Sequence, residues 1–517
     1  MKRRLSGAFA YALYALFALA YGYTFFNVCL ASPHYRYHIA VLLPLAFALA
    51  GGLAVALRAL RGRMAFFVSH DTAVAWGVTL VCFLLRAALS IPLEFTPDGD
   101  LECAFQGARA WLVNGSFAVV DMYKAYFMRY PNTWGLLAFL FGVLRAGDFF
   151  GVSEAGQFFF FAAVNSALVG ASGLLLWALV RRRATKKAAL LALLLFTTLP
   201  PVMLCGPVFY SDTTSMPFLI GTLFLSDRAR SAKSPGRRAF WAAAMGLCAA
   251  VGGLIKATVF IAWIAALIDW LLHERPRRFL AVMAVSGFCA ALVTAGFSSW
   301  IFSRHLDRAQ TARERLPLSY WLYMGIPSDA ADGEYTDWLY EYTVQLPPEQ
   351  RDGEMRERIG KSIQNAAGQG LLPAYFSRKN DTVFGDGTFT LSPFLSLHPR
   401  RHTFLSQIVF EQGRYYPIYR HICMALYACV MLWALVYAVR QLGRRMSGPR
   451  LDACVVTLAG AFVFLMCWEA KGRYFFHFVP VLCALAGCGA AEWISTSSLR
   501  PRLLNRLKTG AEASGNC

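Results

Sequence analysis

Apolar runs of roughly 20 residues recur along most of the chain and are separated by short polar segments. A helical run of about this length is long enough to cross the hydrocarbon core of a bilayer. We place twelve such spans near 7–30, 38–57, 72–92, 156–180, 188–206, 213–226, 239–255, 257–272, 279–302, 419–440, 451–468 and 474–493. The pattern therefore predicts an all-α polytopic membrane protein with about twelve or thirteen transmembrane helices.

Composition and charge agree with this prediction. Of 517 residues, 57% are hydrophobic and only 15% are charged, a balance that excludes an ordinary soluble protein. The net charge of +20 is divided among short basic clusters between the apolar runs, at 2–4, 58–63, 181–187, 228–238, 275–278, 440–445 and 500–508. Such clusters indicate cytoplasmic loops, and we predict no nucleic-acid partner.

The apolar segment 131–148 decides the orientation of the first half of the chain. If it crosses the membrane, the basic cluster at 181–187 falls outside, against the positive-inside rule. If it is a re-entrant or juxtamembrane helix, every basic cluster lies inside and both termini are cytoplasmic. We favour the second interpretation, which gives twelve spans.

This topology divides the chain into six parts. They are N-terminal transmembrane helices (1–92), a first extracytoplasmic loop (93–130), a transmembrane core (131–302), an extracytoplasmic cap loop (303–417), C-terminal transmembrane helices (418–495) and a basic cytoplasmic tail (496–517). A loop as long as 303–417 is expected to be an ordered cap, and its segment 349–364 predicts an amphipathic surface helix.

The first loop carries four carboxylates close to the end of a span: Glu94, Asp98, Asp100 and Glu102. Ala104, Ala108 and Trp111 follow Asp100 on one helical face, which places Asp100 near a helix N-terminus. A carboxylate there can simply cap the helix. It can also act as a general base that removes the proton of a sugar hydroxyl.

The same loop resembles the GT-C superfamily of membrane glycosyltransferases in Asp98-Gly99-Asp100, Ala108, Asn114-Gly115, Tyr123 to Tyr126 and Tyr130-Pro131-Asn132. That superfamily includes protein O-mannosyltransferases, aminoarabinose transferases and Gram-positive cell-wall transferases. The resemblance implies a multi-pass protein of the plasma membrane with an extracytoplasmic active site. It also implies a polyprenyl-phosphate sugar donor, transfer with inversion, and Asp100 or Asp98 as the base, and the spacing to Ala108 favours Asp100.

Two further segments are similar to the superfamily. Tyr210-Ser211-Asp212 resembles its second outward acidic motif, and the segment from Glu469 to Tyr474 resembles its Arg-Tyr ending. The predicted topology puts Arg473 and Lys471 outside, where a positive charge calls for an anionic partner. We expect these two side chains and Lys256 to bind the donor phosphate, because cations, and arginine above all, pair with phosphate oxygens. A solvated turn and snorkelling charges are the alternatives.

Candidate substrate contacts combine aromatic and polar groups: Tyr210, Asp212, Glu102, Tyr130, Trp321 and Asp386. Rings stack on the apolar faces of sugars while polar groups bind the hydroxyls. An ordinary cap core with turns is the alternative for Trp321 and Asp386. The basic edge at 398–402 can bind phosphates of a lipid or of an acceptor polymer.

No Gly-rich phosphate loop is present in a strand–helix setting, which disfavours a nucleotide-sugar donor. We expect no cofactor; the dependence on a divalent metal stays open, although no motif supports one. The expected partners are the lipid bilayer, the lipid-linked donor and a glycan, lipid or protein acceptor. Two other functions remain open: an O-antigen-type polymerase or ligase centred on Arg400, Arg401 and His402, and a lipid-linked sugar flippase or transporter.

Overall fold

The computed structural model describes residues 2–328, 333–444 and 450–496, so the predicted basic tail lies outside these ranges apart from residue 496. Within them the protein is helical and contains no β-strand, and a lone antiparallel bridge joins Phe95 to Pro399. The all-α polytopic prediction is therefore confirmed.

Fifteen helices occupy the described part of the chain up to residue 304. They are α1 (Lys2–Phe26), α2 (Ile39–Ala59), α3 (Arg61–Ser69), α4 (Asp71–Ser90), α5 (Gly99–Asn114), α6 (Asp121–Arg129), α7 (Trp134–Phe149), α8 (Glu154–Arg183), α9 (Lys186–Thr198), α10 (Pro200–Leu204), α11 (Ser211–Thr214), α12 (Met216–Ser231), α13 (Pro235–Ile255), α14 (Val259–His273) and α15 (Pro276–Arg304).

Ten more helices occupy the described residues that follow. They are α16 (Arg308–Glu314), α17 (Leu318–Met324), α18 (Asp337–Gln345), α19 (Pro348–Gly368), α20 (Leu372–Phe384), α21 (Leu391–Leu397), α22 (Ser406–Val409), α23 (Tyr416–Gly443), α24 (Asp452–Cys467) and α25 (Val479–Thr496). A 3₁₀ segment, Gly472–Phe478, leads directly into α25.

Eight helical segments among the described residues are long and apolar enough to cross a membrane: Gly7–Ala31, Ile39–Ala59, Asp71–Ser90, Glu154–Arg183, Pro235–Ile255, Pro276–Arg304, Tyr416–Gly443 and Gly472–Trp493. Helices α14 and α24 are also apolar but have 15 and 16 residues. The predicted span at 188–206 is divided into α9 and α10, because Pro200 and Pro201 follow the end of α9. A proline disfavours helical backbone in the residue before it.

Charge distinguishes the two ends of the helix bundle. At the end that we call the basic face, Arg182 of α8 pairs with Asp227 of α12, and Arg230 of α12 pairs with Asp269 of α14. The opposite end, which we call the loop face, carries the start of α12 and the end of α13. Helix α12 has 16 residues, so about 24 Å of helix separates its two ends.

Helix α7 occupies the segment 131–148 whose topology was open. A Cβ on Gly135, at its start, would lie 2.1 Å from the carbonyl oxygen of Leu254, at the loop-face end of α13. Gly147, near its other end, lies beside Phe160 in the first turns of α8. Both ends of α7 therefore lie near the loop face, and the helix packs mainly against α5. This placement agrees with a juxtamembrane helix.

Helices α16 to α22 form the cap on the loop face. A small core in its first part contains Leu316, Tyr320, Tyr323, Met324, Leu339 and Met355. The amphipathic helix predicted at 349–364 is present as α19. Its buried Arg351 donates hydrogen bonds to four backbone carbonyls of the cap, which fixes the helix against its neighbours.

Candidate active site

The sequence Asp98-Gly99-Asp100 gives its two carboxylates different surroundings. Asp98 is the N-cap of α5, and its Oδ1 accepts a hydrogen bond of 2.7 Å from the backbone N–H of Gly99. Gly99 has φ +58°, a left-handed conformation that favours glycine over residues with a side chain. The other carboxylate oxygen of Asp98 lies 3.6 Å from Nε2 of His398 in the cap. Asp98 thus caps the helix and faces the cap, whereas Asp100 faces the bundle.

Asp100 is the centre of a polar cluster on the loop face. Its Oδ1 accepts a hydrogen bond of 2.9 Å from the hydroxyl of Tyr126, and its Oδ2 accepts one of 3.3 Å from the hydroxyl of Tyr210. Burial, together with the nearby carboxylate of Asp100, raises the pKa of each of these tyrosines well above the ordinary value of a tyrosine. Each hydroxyl therefore keeps its proton and donates a hydrogen bond. The side chain of Asp100 remains 51% exposed, so a substrate hydroxyl can reach it.

Arg473 lies behind this carboxylate and is only 10% exposed. Its Nη2 is 4.0 Å from Oδ2 of Asp100, and its guanidinium lies 4.6 Å from the ring centre of Tyr210 and 5.2 Å from that of Phe394. Its Nε is buried and has no hydrogen-bond partner among the described residues. Asp100, Tyr210 and Arg473 therefore lie together, and the guanidinium retains an unused donor.

Lys256 and Asp212 form a buried ion pair beside this cluster. Nζ of Lys256 lies 2.5 Å from Oδ1 of Asp212, and it also lies 4.8 Å from the ring centre of Tyr474. This partner could not be predicted from the residues around Lys256, because Asp212 lies 44 residues away in the chain. Since Asp212 already balances its charge, Lys256 has less capacity to neutralise a phosphate than Arg473 has.

Asp386 shapes the loop that supports Arg473. Its carboxylate accepts hydrogen bonds from the N–H and hydroxyl of Thr388 and from the N–H of Thr390. Phe389 and Thr390 have φ values of +52° and +60°, which are unfavourable for residues other than glycine and need such support. Thr390 in turn accepts a hydrogen bond of 3.1 Å from the N–H of Arg473. Both carboxylate oxygens of Asp386 thus bind its own loop. The predicted contact of Asp386 with the substrate stays a prediction.

Lys471 lies at the rim of the site. Its Nζ is 3.6 Å from Oε1 of the buried Glu469, whose other oxygen accepts a hydrogen bond of 2.8 Å from the hydroxyl of Tyr474. Nζ also lies 5.9 Å from the ring centre of Tyr335 in the cap. The side chain is 34% exposed, which leaves it accessible to an anion.

A row of four aromatic rings begins beside Asp100. The ring centres of Tyr126 and Tyr130 are 4.9 Å apart, Tyr130 and Trp321 are 6.0 Å apart, and Trp321 and Trp468 are stacked at 6.2 Å. The predicted contacts Tyr130 and Trp321 therefore lie side by side. Glu102, by contrast, is exposed on α5, and its predicted contact with the substrate stays a prediction.

Ion pairs and backbone hydrogen bonds join the first loop to the cap. Glu94 pairs with Arg400 and Arg401, at 3.1 and 3.2 Å, and backbone hydrogen bonds link Thr96 to His398 and Arg400 to Glu94. The basic edge predicted to bind phosphates is thus largely engaged with the carboxylates of the first loop. Its role in the structure is to hold the cap over the start of α5.

Several neighbours of the site were not predicted as functional residues. Tyr126 belonged to the quoted motif, and its spacing of four residues from Tyr130 could have placed both rings on one helical face. Phe394, Trp468 and His477 carried no sequence signal. His477 is fully buried, and its Nε2 lies 2.9 Å from the hydroxyl of Thr258, two residues after Lys256 in the chain.

A group of side chains that could bind a metal ion lies outside this site. Among the described residues, the group of His, Asp and Glu side chains close enough to share an ion is Asp269, His273 and Asp452. These residues lie on the basic face, at the opposite end of the bundle from Asp100.

Comparison with solved structures finds the archaeal oligosaccharyltransferase AglB from Archaeoglobus fulgidus. One structure, in complex with an inhibitory peptide and a dolichol-phosphate, aligns with a TM-score of 0.42 at 14% identity over 84% of this chain and 52% of that chain. Another, tethered with an acceptor peptide containing the NVT sequon via a disulfide bond, aligns with a TM-score of 0.43 at 14% identity over 86% and 52%. The chain thus spans about half the length of that protein.

No curated protein matches the chain. A family model described as conserved hypothetical integral membrane protein matches residues 109–492, which is well over half of the chain. The match includes Tyr126, Tyr210 and Arg473 and begins after Asp100. The chain therefore belongs to this family of integral membrane proteins.

Proposed function

We propose that the protein is an inverting membrane glycosyltransferase. It moves a sugar from a polyprenyl-phosphate carrier to an extracytoplasmic acceptor, which is a surface or cell-wall glycan, a lipid-linked glycan or a protein. The observation that carries the proposal is the juxtaposition of a half-exposed carboxylate, Asp100, with a buried arginine, Arg473, at 4.0 Å on the loop face.

The two groups have complementary tasks in a single displacement. Asp100 takes the proton of the acceptor hydroxyl while the hydroxyl oxygen attacks the anomeric carbon. The bond between that carbon and the phosphate oxygen breaks, and the oxygen leaves with the bonding electron pair. Arg473 stabilises the negative charge of the released polyprenyl phosphate. Because one bond forms as the other breaks on the opposite side, the anomeric configuration inverts.

Neighbouring contacts keep these groups in position. Tyr126 and Tyr210 fix the orientation of the Asp100 carboxylate through their hydroxyls. Tyr210 and Phe394 also hold the guanidinium of Arg473 by their ring faces. We assign the aromatic row of Tyr130 and Trp321 to the sugar of donor or acceptor, since rings of this kind stack on the apolar faces of sugars.

The other two functions receive less support. A polymerase or ligase centred on Arg400 and Arg401 needs free cations, but both arginines pair with Glu94. A transporter needs charges that exchange partners in the bilayer, and Lys256 is held by Asp212.

The test uses the full-length protein purified in detergent and supplied with polyprenyl-phosphate hexoses and acceptor glycans. We expect release of polyprenyl phosphate together with a glycosylated product whose anomeric configuration is opposite to that of the donor. A product that retains the donor configuration, or no turnover with any polyprenyl-phosphate hexose, would contradict the proposal. The Asp121→Asn variant is a control and should keep the turnover of the parent protein, since Asp121 is exposed on α6.

A further inference from the structure

A cavity of about 170 Å³ opens at the basic face, at the opposite end of the bundle from Asp100. Helices α8, α12 and α14 and the start of α24 surround it. Its cationic lining groups are Arg183, Arg230, His273 and Arg450. These side chains come from four separate elements, so the cavity is formed by the packing of the bundle and not by one loop.

The charges around this cavity do not balance. Its three carboxylates, Asp227, Asp269 and Asp452, are all engaged in ion pairs. Four arginines and one histidine contact them: Arg182, Arg183, Arg230, Arg450 and His273. Nδ1 of His273 lies 3.0 Å from Asp269, and its Nε2 lies 3.1 Å from Asp452. The four arginines of these pairs alone exceed the three carboxylates by one positive charge.

Two features show where an anion would bind. Nη2 of Arg450 lies 2.9 Å from Nε2 of His273, and because a guanidinium can only donate, this contact is a hydrogen bond only while that nitrogen carries no proton. The Nε of Arg230 is buried and has no hydrogen-bond partner among the described residues, although Nη2 of the same side chain contacts Asp269 at 2.8 Å. A bound anion would accept a hydrogen bond from the Nε of Arg230, and from Arg450 when His273 is protonated.

A metal ion fits this site less well. Asp269, His273 and Asp452 do bring three ligand atoms within 4.8 Å of one another. However, Oδ2 of Asp269 is 2.8 Å from Arg230, and Oδ2 of Asp452 is 3.4 Å from Arg450. A cation would have to displace both arginines and then remain next to them, which opposes binding.

We propose that this cavity is a binding site for a phosphate group, supplied by the headgroup of an anionic phospholipid in the membrane leaflet at the basic face. Basic pockets between transmembrane helices on the cytoplasmic side are suited to such headgroups. Leu179 and Leu223 line the cavity one helical turn deeper in the bundle than Arg183 and Asp227. The wall is therefore charged at the end of the bundle and apolar further in, which matches the polarity of a lipid.

This site is independent of the proposed glycosyl transfer, because it lies at the other end of α12. Its expected effect is on the stability of the bundle, since a ligand that binds only the folded state stabilises it. A phosphate bridging Arg183, Arg230 and Arg450 would join α8, α12 and α24 at the basic face.

The test measures the unfolding temperature of the full-length protein in a neutral detergent. Phosphatidylglycerol is compared with phosphatidylcholine at equal mole fraction, and sodium phosphate is compared with sodium chloride at equal ionic strength. We expect phosphatidylglycerol to raise the unfolding temperature more than phosphatidylcholine. Arg230→Gln and Arg450→Gln should each weaken phosphatidylglycerol binding about tenfold or more, while Arg277→Gln, an exposed arginine on the same side, should not.

A further variant separates binding from structural loss. Asp227→Asn removes a carboxylate and leaves the cations, so it should bind phosphatidylglycerol at least as tightly as the parent protein. If sodium phosphate stabilises the protein while phosphatidylglycerol does not, and Arg230→Gln abolishes this effect, the cavity binds phosphate, but its ligand is free phosphate and not a lipid headgroup. The proposal is overturned if neither anion stabilises the protein, or if Asp227→Asn loses the effect together with Arg230→Gln. Stabilisation by magnesium or zinc chloride that Asp269→Asn abolishes would also overturn it.

Discussion

Asp212 and Lys256 form a buried ion pair at 2.5 Å, with side chains that are 6% and 12% exposed. The pair joins α11 to the connection between α13 and α14, next to the ring of Tyr474. The protein therefore places a neutralised pair immediately beside the more available cation Arg473. We therefore propose a structural role for Lys256 and assign the donor phosphate of the proposed reaction to Arg473.

We predict that Lys256→Met lowers the free energy of unfolding by about 3–5 kcal/mol, because it leaves the Asp212 carboxylate buried without a partner. The double variant Asp212→Asn/Lys256→Met should recover a large part of this loss. Thermal unfolding of the parent protein, both single variants and the double variant gives the coupling between the two sites. A double variant less stable than Lys256→Met would show that the pair does not behave as a unit.

Arg473→Lys should reduce turnover by about a hundredfold while the protein still folds, since an ammonium group cannot reproduce the planar fork of a guanidinium on a phosphate. The measurement is kcat and KM for release of polyprenyl phosphate. Arg414→Lys is the matched control, because Arg414 is exposed in the cap and its guanidinium lies over the ring of Tyr415. Equal turnover for the two variants would remove Arg473 from the mechanism.

Asp386→Ala should destabilise the protein by roughly 1–3 kcal/mol, because three donors of its loop lose their acceptor. Turnover should fall as well, since the left-handed segment at Thr390 would no longer hold the backbone of Arg473. Thr390→Val, which removes only the acceptor for Arg473, should lower turnover with a smaller effect on stability. If Asp386→Ala retains both stability and turnover, the loop does not depend on this carboxylate.

Lys379 provides a pH test of the cap. It is buried in α20, where burial lowers its pKa to about 7 from an ordinary value of 10.5. Between these two values the unfolded chain binds a proton that the folded protein lacks, so the contribution of Lys379 to stability increases as pH rises through that range. Below pH 7 both states are protonated, and the folded state carries the full penalty of a buried charge.

The unfolding temperature of Lys379→Met should therefore rise less between pH 7 and pH 9 than that of the parent protein. Lys361→Met is the control, because Lys361 is exposed on α19 and its replacement should leave the difference unchanged. Parallel pH profiles for the parent protein and Lys379→Met would contradict the assigned pKa.

The sequence predicts the helical class and the amphipathic α19. It also predicts that Asp100, Asp212 and Arg473 face the same side of the membrane, because hydropathy and the positions of basic clusters determine which segments share a face. It does not predict the pairing of Lys256 with Asp212 or the contact of Phe394 with Arg473. Those contacts depend on how each helix is rotated about its axis, and a pattern of apolar residues specifies that rotation only coarsely.

The choice between Asp98 and Asp100 shows the same limit. Both carboxylates precede the same helix, and sequence spacing only favoured the second. The left-handed backbone of Gly99 separates them, since it leaves Asp98 at the N-cap and points Asp100 towards Tyr126 and Tyr210.

The central claim is that Asp100 is the general base. The most direct measurement is the rate of polyprenyl phosphate release by Asp100→Asn and Asp98→Asn under identical conditions. We predict that Asp100→Asn loses about a hundredfold or more, because asparagine cannot accept the proton. Asp98→Asn should lose less than about tenfold, because asparagine also caps a helix. Full turnover of Asp100→Asn, or a larger loss for Asp98→Asn, would contradict the account.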